Sequence, residues 1–237
     1  MEKSYKVTHK LYYNDRLNKV LFHGKPTYPL YVQVTFDRKT IVFKSNLFEL
    51  LSKPKYGLSQ LGEIYEPELK DIIAKEDALI DFVIEKNLEN FSLDTFKKDY
   101  NYFSRDLLDE MENGFREFLY AFFQDEGMPW LAISLSHGSK SISPFNIVLD
   151  LKIALNKKTY DKLVVNSCYY APPYYLLYNF ALKWHKENPI LLSVSDWVLV
   201  GAKEKFQDFL YTNYPEINSV DILKQVQSFI SNTAAKT

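Results

Sequence analysis

The chain has 237 residues, 46% of them hydrophobic and 25% charged, the balance of a globular protein rather than a disordered one. A single cysteine, Cys168, excludes an intramolecular disulfide. The opening MEKSYKVTHK lacks the apolar run of a secretory signal, and no apolar stretch reaches the ~18 residues of a membrane span. The net charge of −1 conceals an asymmetry: residues 1–60 hold 11 Lys and Arg against 4 Asp and Glu, and the remainder holds 18 against 26. A basic end of that kind suits a polyanion.

The residues from Tyr5 to Tyr13 mix β-branched, aromatic and polar types and stop at Asn14-Asp15, a turn pair, which predicts a first strand. In Leu30-Tyr31-Val32-Gln33-Val34-Thr35-Phe36 the alternation is strict, so Leu30, Val32, Val34 and Phe36 are expected on a buried face and Tyr31, Gln33 and Thr35 on a wet one. Asp37-Arg38-Lys39 supplies a turn, with Arg38 and Lys39 at its tip, and Thr40 to Lys44 returns as the second arm of an antiparallel hairpin. Together these predict a three-stranded antiparallel sheet over residues 5–45.

Beyond Lys53-Pro54-Lys55-Tyr56-Gly57 the apolar spacing becomes helical. Helices are predicted from about Glu66 to Asn87, over FSLDTFKKDY with Ser92 at its start, and from Ser104 to near Gly127. The small polar stretch Ser134 to Pro144 reads as a loop and a possible internal boundary. Further helices follow around Asn146–Leu155, Pro173–Lys186, Lys203–Tyr211 and Val220–Ser231. The fold class expected is α+β: a basic sheet domain over residues 1–57 and a mainly helical domain over 58–237.

A catalytic centre does not emerge. His9, His23, His137 and His185 are scattered and none neighbours Cys168 in sequence, whereas a zinc site shows clustered ligands. Asp99, Asp106, Asp109 and Glu110 could converge on a divalent cation but are more simply solvated helix-face acids. The loop at His137-Gly138-Ser139-Lys140 could cradle a phosphate, or be an ordinary polar connection. Cys168 fits a small core residue. No cofactor and no metal is expected. The aromatic run from Tyr169 to Tyr178 is either core or, where exposed, a partner-binding patch, for which Tyr169, Tyr170, Tyr174 and Tyr175 are the candidates.

The hairpin residues YPLYVQVTFDRKTIVFKS resemble the arm-type DNA-binding domain of tyrosine recombinases from Bacteroidetes mobile elements. FSLDTFKKDY resembles the segment that leads into the core-binding domain of the same integrases. The resemblance covers roughly the first hundred residues. It implies a three-stranded sheet entering the major groove, with Lys and Arg contacting phosphates and bases. Those integrases continue into a catalytic domain with a His-x-x-Arg motif. Residues 127–237 hold no such motif, and no arginine follows Arg116. Where the family has a small-residue turn and a tryptophan after the sheet, this chain has Asn46-Leu47-Phe48.

The function expected is therefore a non-catalytic DNA-binding accessory or regulatory protein of a mobile element or phage. Arg38, Lys39, Lys44, Gln33, Lys19 and Lys25 are the candidate contacts to duplex DNA, and the acidic helical part would bind a partner protein or self-associate. The alternative is a structural or assembly protein acting through the sheet and the tyrosine-rich segment. The expected location is the cytoplasm of a bacterial host cell, or the virion if phage-borne, with no membrane partner.

Overall fold

Strand β4 (Leu30–Phe36) is the middle of a three-stranded antiparallel sheet ordered β1-β4-β5, with β1 at Thr8–Tyr13 and β5 at Lys39–Lys44. The structure is a computed structural model and describes residues 6–56, 68–138, 140–184, 191–199 and 201–234. The alternation has its expected effect: Val32 and Val34 are 0% exposed, while Tyr31, Gln33 and Thr35 point the other way and stay partly open. Register extends the covered face, setting Val32 between Leu11 and Phe43, and Val34 between His9 and Ile41. Between β1 and β4 in sequence lies a second, separate ribbon, β2 (Val20–Phe22) with β3 (Lys25–Thr27), which the sequence pattern does not predict.

Both hairpins close through two residues with positive φ. These are His23 (48°) with Gly24 (81°), and Asp37 (45°) with Arg38 (63°). Two successive positive φ values make a type I′ turn, whose twist matches that of the flanking strands. The hairpin tip is thus Asp37-Arg38. Lys39, expected at the tip, is the first residue of β5 and pairs with Phe36.

Helices α1 (Asn46–Leu51), α2 (Leu69–Lys86) and α3 (Leu93–Phe103) belong to the same compact unit as the sheet, which takes residues 6–56 and 68–105 of the described chain. The expected division after residue 57 falls inside this unit. An aromatic layer explains the association: Phe43 lies 4.9 Å from Tyr100 and 6.5 Å from Phe96, and Phe36 lies 4.9 Å from Phe91, ring to ring. Ser92 caps α3 by accepting from the Thr95 amide at 3.0 Å. Ser104, expected to open the next helix, instead caps the C-terminus of α3.

One polar group sits inside this unit. Glu76 on α2 is 0% exposed and accepts from the Ser45 hydroxyl at 2.6 Å and from the Tyr100 hydroxyl. A backbone bond from Leu47 adds to these. Ser45 is also the N-cap of α1, accepting from the Phe48 amide at 3.0 Å, and the Tyr100 oxygen accepts from the Asn46 amide at 2.8 Å. The carboxylate therefore stands at the positive end of α1, where a negative charge is favoured. Burial nevertheless raises its pKa. Lys97, the cation whose charge acts on it, lies 3.3 Å from the Phe43 ring centroid and is lowered to about 8, chiefly by its own desolvation.

The second unit runs from Asp106 and is helical: α4 (Leu107–Asp125), α5 (Pro129–His137), α6 (Pro144–Ala154), α7 (Lys157–Tyr169), α8 (Tyr174–Trp184), α9 (Val194–Leu199), α10 (Ala202–Asn213) and α11 (Ser219–Ala234). Asp106 caps α4, accepting from the Leu108 amide at 3.0 Å. Helix α4 packs against α5, α6, α8 and α11. The chain entering α8 comes so close that a Cβ added to Gly114 would meet Pro172 Cγ at 3.0 Å. Arg116, buried on α4, donates to Glu112 Oε1 at 2.9 and 3.1 Å and to the Ile142 carbonyl at 2.8 Å. The polar stretch expected as a loop from Ser134 is helical as far as His137. Helix α7 is absent from the sequence reading, because its buried face includes Thr159 and Ser167 beside Leu163 and Cys168, which hides the apolar period. Among the described residues no helix is long and apolar enough to cross a membrane.

Replacing Glu76 by Ala should cost on the order of 3 kcal/mol, since three donors lose their acceptor in a site closed to water. The pH dependence has a definite sign. Glu76 ionises near 4.5 when unfolded and higher when folded, so its contribution is full below pH 4.5 and is lost as pH rises through the folded value. Lys97 acts oppositely, adding stability as pH rises from about 8 to 10.5. Chemical denaturation across pH should show both slopes in the native protein, and Glu76→Gln should remove the first.

Candidate nucleic-acid interface

The sheet has one face covered by helices and one open. Alternation and register together determine the open face strand by strand. It carries Thr8, Lys10 and Tyr12 from β1, Tyr31, Gln33 and Thr35 from β4, and Thr40, Val42 and Lys44 from β5. None of the nine is buried and none is acidic. Gln33 sits between Lys10 and Val42, Tyr31 between Tyr12 and Lys44, and Thr35 between Thr8 and Thr40. The hydroxyls of Thr35 and Thr40 are 2.9 Å apart, the Tyr12 and Tyr31 rings are 6.2 Å apart, and Lys10 Nζ lies 5.7 Å from the Tyr12 ring centroid.

This surface can donate and accept hydrogen bonds across its width and carries two ammonium groups. Two strand spacings separate β1 from β5 by about 10 Å, close to the roughly 12 Å width of the DNA major groove. The acids of α2 lie elsewhere. Asp71, Glu76, Asp77, Asp81 and Glu85 are all on α2, and Asp77 approaches the sheet through His9, on the covered side.

The structure sorts the predicted contact residues. Gln33 and Lys44 share the open face. Lys44 Nζ is 3.3 Å from Glu49 on α1, which offsets part of its charge. Arg38 is exposed at the turn beyond the end of that face. Lys39, paired with Phe36, has the parity of the covered face, although it is itself exposed. Lys19 lies over the Tyr28 ring at 5.3 Å, and Lys25 begins β3 in the separate ribbon. Lys10, Tyr12 and Tyr31, which share the open face, are not among the residues singled out from the sequence. The signal for them is the register of β1 on β4, which alternation within one strand does not disclose.

The tyrosine-rich segment divides. Tyr170 is 78% exposed and Tyr169 is 49% exposed, at the end of α7. Tyr174 and Tyr175, expected in an interface, are core residues of α8, at 1% and 7%. Tyr174 packs 4.9 Å from Phe115 and Tyr175 5.1 Å from Phe145, ring to ring. Helical geometry decides this, because α8 is apolar nearly all round and carries both rings inward. Burial also raises both phenols, and it lifts the Cys168 thiol to about 11, away from nucleophilic chemistry. Of the acids considered for a cation, Asp99 takes Lys86 at 2.6 Å and Asn87 at 3.0 Å, and Asp106 serves as the cap of α4. The possible phosphate loop includes Ser139, which lies outside the described residues, as does His185.

Comparison with protein-family models, with curated proteins and with solved structures finds no match to this chain.

The placements of Arg38 and of the tyrosines can be checked by stability. Arg38→Gly should raise it by about 0.5–1 kcal/mol, because a left-handed φ costs an L-residue what it does not cost glycine; denaturant midpoints will show it. Tyr174→Ala should cost about 3–5 kcal/mol and Tyr170→Ala less than about 0.5 kcal/mol in the same measurement.

Proposed function

We propose that this chain is a non-catalytic DNA-binding protein that sets the open face of its N-terminal sheet on duplex DNA, as an accessory or regulatory protein of a mobile element or phage. The observation that carries this reading is the nine-residue face itself: open, without an acid, and spanned by Lys10, Gln33, Tyr12, Tyr31 and Lys44. The hairpin's resemblance to the arm-type domain of integrases supports the same surface. Lys10 and Lys44 would meet phosphates, the threonine row would add neutral hydrogen bonds to the backbone, and Gln33, at the centre, is suited to reading a base edge. Arg38 projects beyond the face as a further contact. The absence of a His-x-x-Arg motif from residues 127–237 is why strand cleavage by the integrase mechanism has no part in the reading. The remaining helices would serve a partner protein or self-association.

The test is a titration of the protein against duplex DNA over a range of salt concentrations. Lys10→Ala with Lys44→Ala should reduce the log–log salt slope by about two, close to one for each phosphate no longer neutralised. Gln33→Ala should leave the slope and lower discrimination between sites by about 1–3 kcal/mol. Glu49→Gln, which releases Lys44 from its ion pair, should tighten binding. Salt-independent or absent binding by the native protein, or an unchanged slope in the double variant, would remove the reading in favour of an assembly protein. Tighter binding of single strands than of duplex would instead point to base stacking on Tyr12 and Tyr31.

A further inference from the structure

Away from the open face, the fold brings together three metal-ligating side chains from segments of the chain that are distant in sequence. His9 of β1 meets Asp77 and Asp81, which sit on successive turns of α2. His9 Nε2 is 2.7 Å from Asp77 Oδ1, its Nδ1 is 3.7 Å from Asp81 Oδ1, and one ligand atom from each residue lies within 4.8 Å of the other two. We infer that His9, Asp77 and Asp81 form a binding site for a divalent transition metal of the zinc class, bridging β1 to α2.

Three observations carry the assignment. First, the donor set, one imidazole and two carboxylates, is one that zinc accepts, whereas magnesium and calcium prefer oxygen alone. Second, the spacing is within reach of a bound ion. Ligand atoms around one tetrahedral ion with bonds of about 2.0–2.1 Å stand roughly 3.4 Å apart. Reaching that from 2.7 Å on one side and from up to 4.8 Å on the other needs only rotation of two carboxylates whose side chains are 53% and 58% exposed. The imidazole, at 19%, is the more constrained ligand. Third, the charge is unbalanced. Like charges four residues apart on a helix repel, and among the described residues Asp77 and Asp81 take no lysine or arginine, only the imidazole they share. A divalent cation held between the two carboxylates relieves that repulsion.

The site is open to solvent on the carboxylate side, so water would complete the coordination. The ion would join the first strand to the helix that carries Glu76, in effect a clamp on the covered side of the sheet. The inference does not depend on the DNA-binding reading, since none of the three residues lies on the open face.

The test uses the whole chain, purified without a histidine tag and stripped with chelator, titrated with zinc chloride against a fluorescent zinc indicator, with thermal melting in parallel. One equivalent should bind, raising the melting temperature, with magnesium unable to compete in tenfold excess. Asp81→Asn should weaken binding at least tenfold and His9→Gln should abolish it, while Lys98→Ala, at an exposed position of α3, changes neither readout. Absence of one-to-one binding by the native protein, or equal affinity in the native and Asp81→Asn proteins, would overturn the site. Asp81 is exposed, so that variant remains informative should His9→Gln fold poorly.

Discussion

The first unit is organised around a carboxylate that water does not reach. Glu76 accepts from Ser45, where β5 has just ended, and from Tyr100 in α3, and both partners are themselves engaged at the first turn of α1. Four elements thus have their mutual positions set by one side chain. A buried acid without donors would cost several kcal/mol, and here the donors are supplied by a helix N-terminus, a cap hydroxyl and a phenol. The arrangement is specific because each donor is also committed elsewhere. Ser45 caps α1, and Tyr100 receives the Asn46 amide. A helix shifted by one turn would satisfy neither.

This internal arrangement bears on the surface. The aromatic layer of Phe36, Phe43, Phe91, Phe96 and Tyr100 covers one side of the sheet, and the acids of α2 lie on that side too. What is left for solvent is the opposite face, with its lysines, tyrosines, threonines and central glutamine. The open face therefore carries Lys10 and Lys44 on the side away from the acids of α2, with Glu49 of α1 beside Lys44. The perturbed groups, buried Glu76 and half-buried Lys97, are explained by support of that scaffold, because they face the aromatic layer and the end of α1 rather than the open surface.

The second unit uses a different device. Its core is built on aromatic contacts between α4, α6 and α8, where Phe115, Phe145, Tyr174, Tyr175 and Tyr178 pack ring on ring. Tyrosines can be buried there because hydroxyls find partners: Tyr178 receives the Ser143 hydroxyl at 3.3 Å, and Ser143 also caps α6. The buried Arg116–Glu112 pair plays the corresponding part beside them, reaching the Ile142 carbonyl just before that cap.

The α+β class, the antiparallel hairpin of β4 and β5, the inward direction of Val32 and Val34 and the existence of α2, α3, α4, α6, α8, α10 and α11 follow from the sequence alone, because each is specified by a short-range period, a cap or a turn. Helix α7 escapes the same reading because hydroxyl side chains on its inner face mimic a polar pattern, and α5 because an apolar helix has no period to detect. Tertiary structure alone decided the rest. It assigned Lys10, Tyr12 and Tyr31 to one face with Gln33 and Lys44, placed Lys39 in β5 rather than at the turn, and buried Tyr174 and Tyr175 while leaving Tyr169 and Tyr170 exposed. It also set His9 against Asp77 and Asp81. The physical reason is common to all of these: strand register and helix docking are fixed by contacts between residues far apart in the chain, and no local pattern encodes which distant side chain will lie opposite.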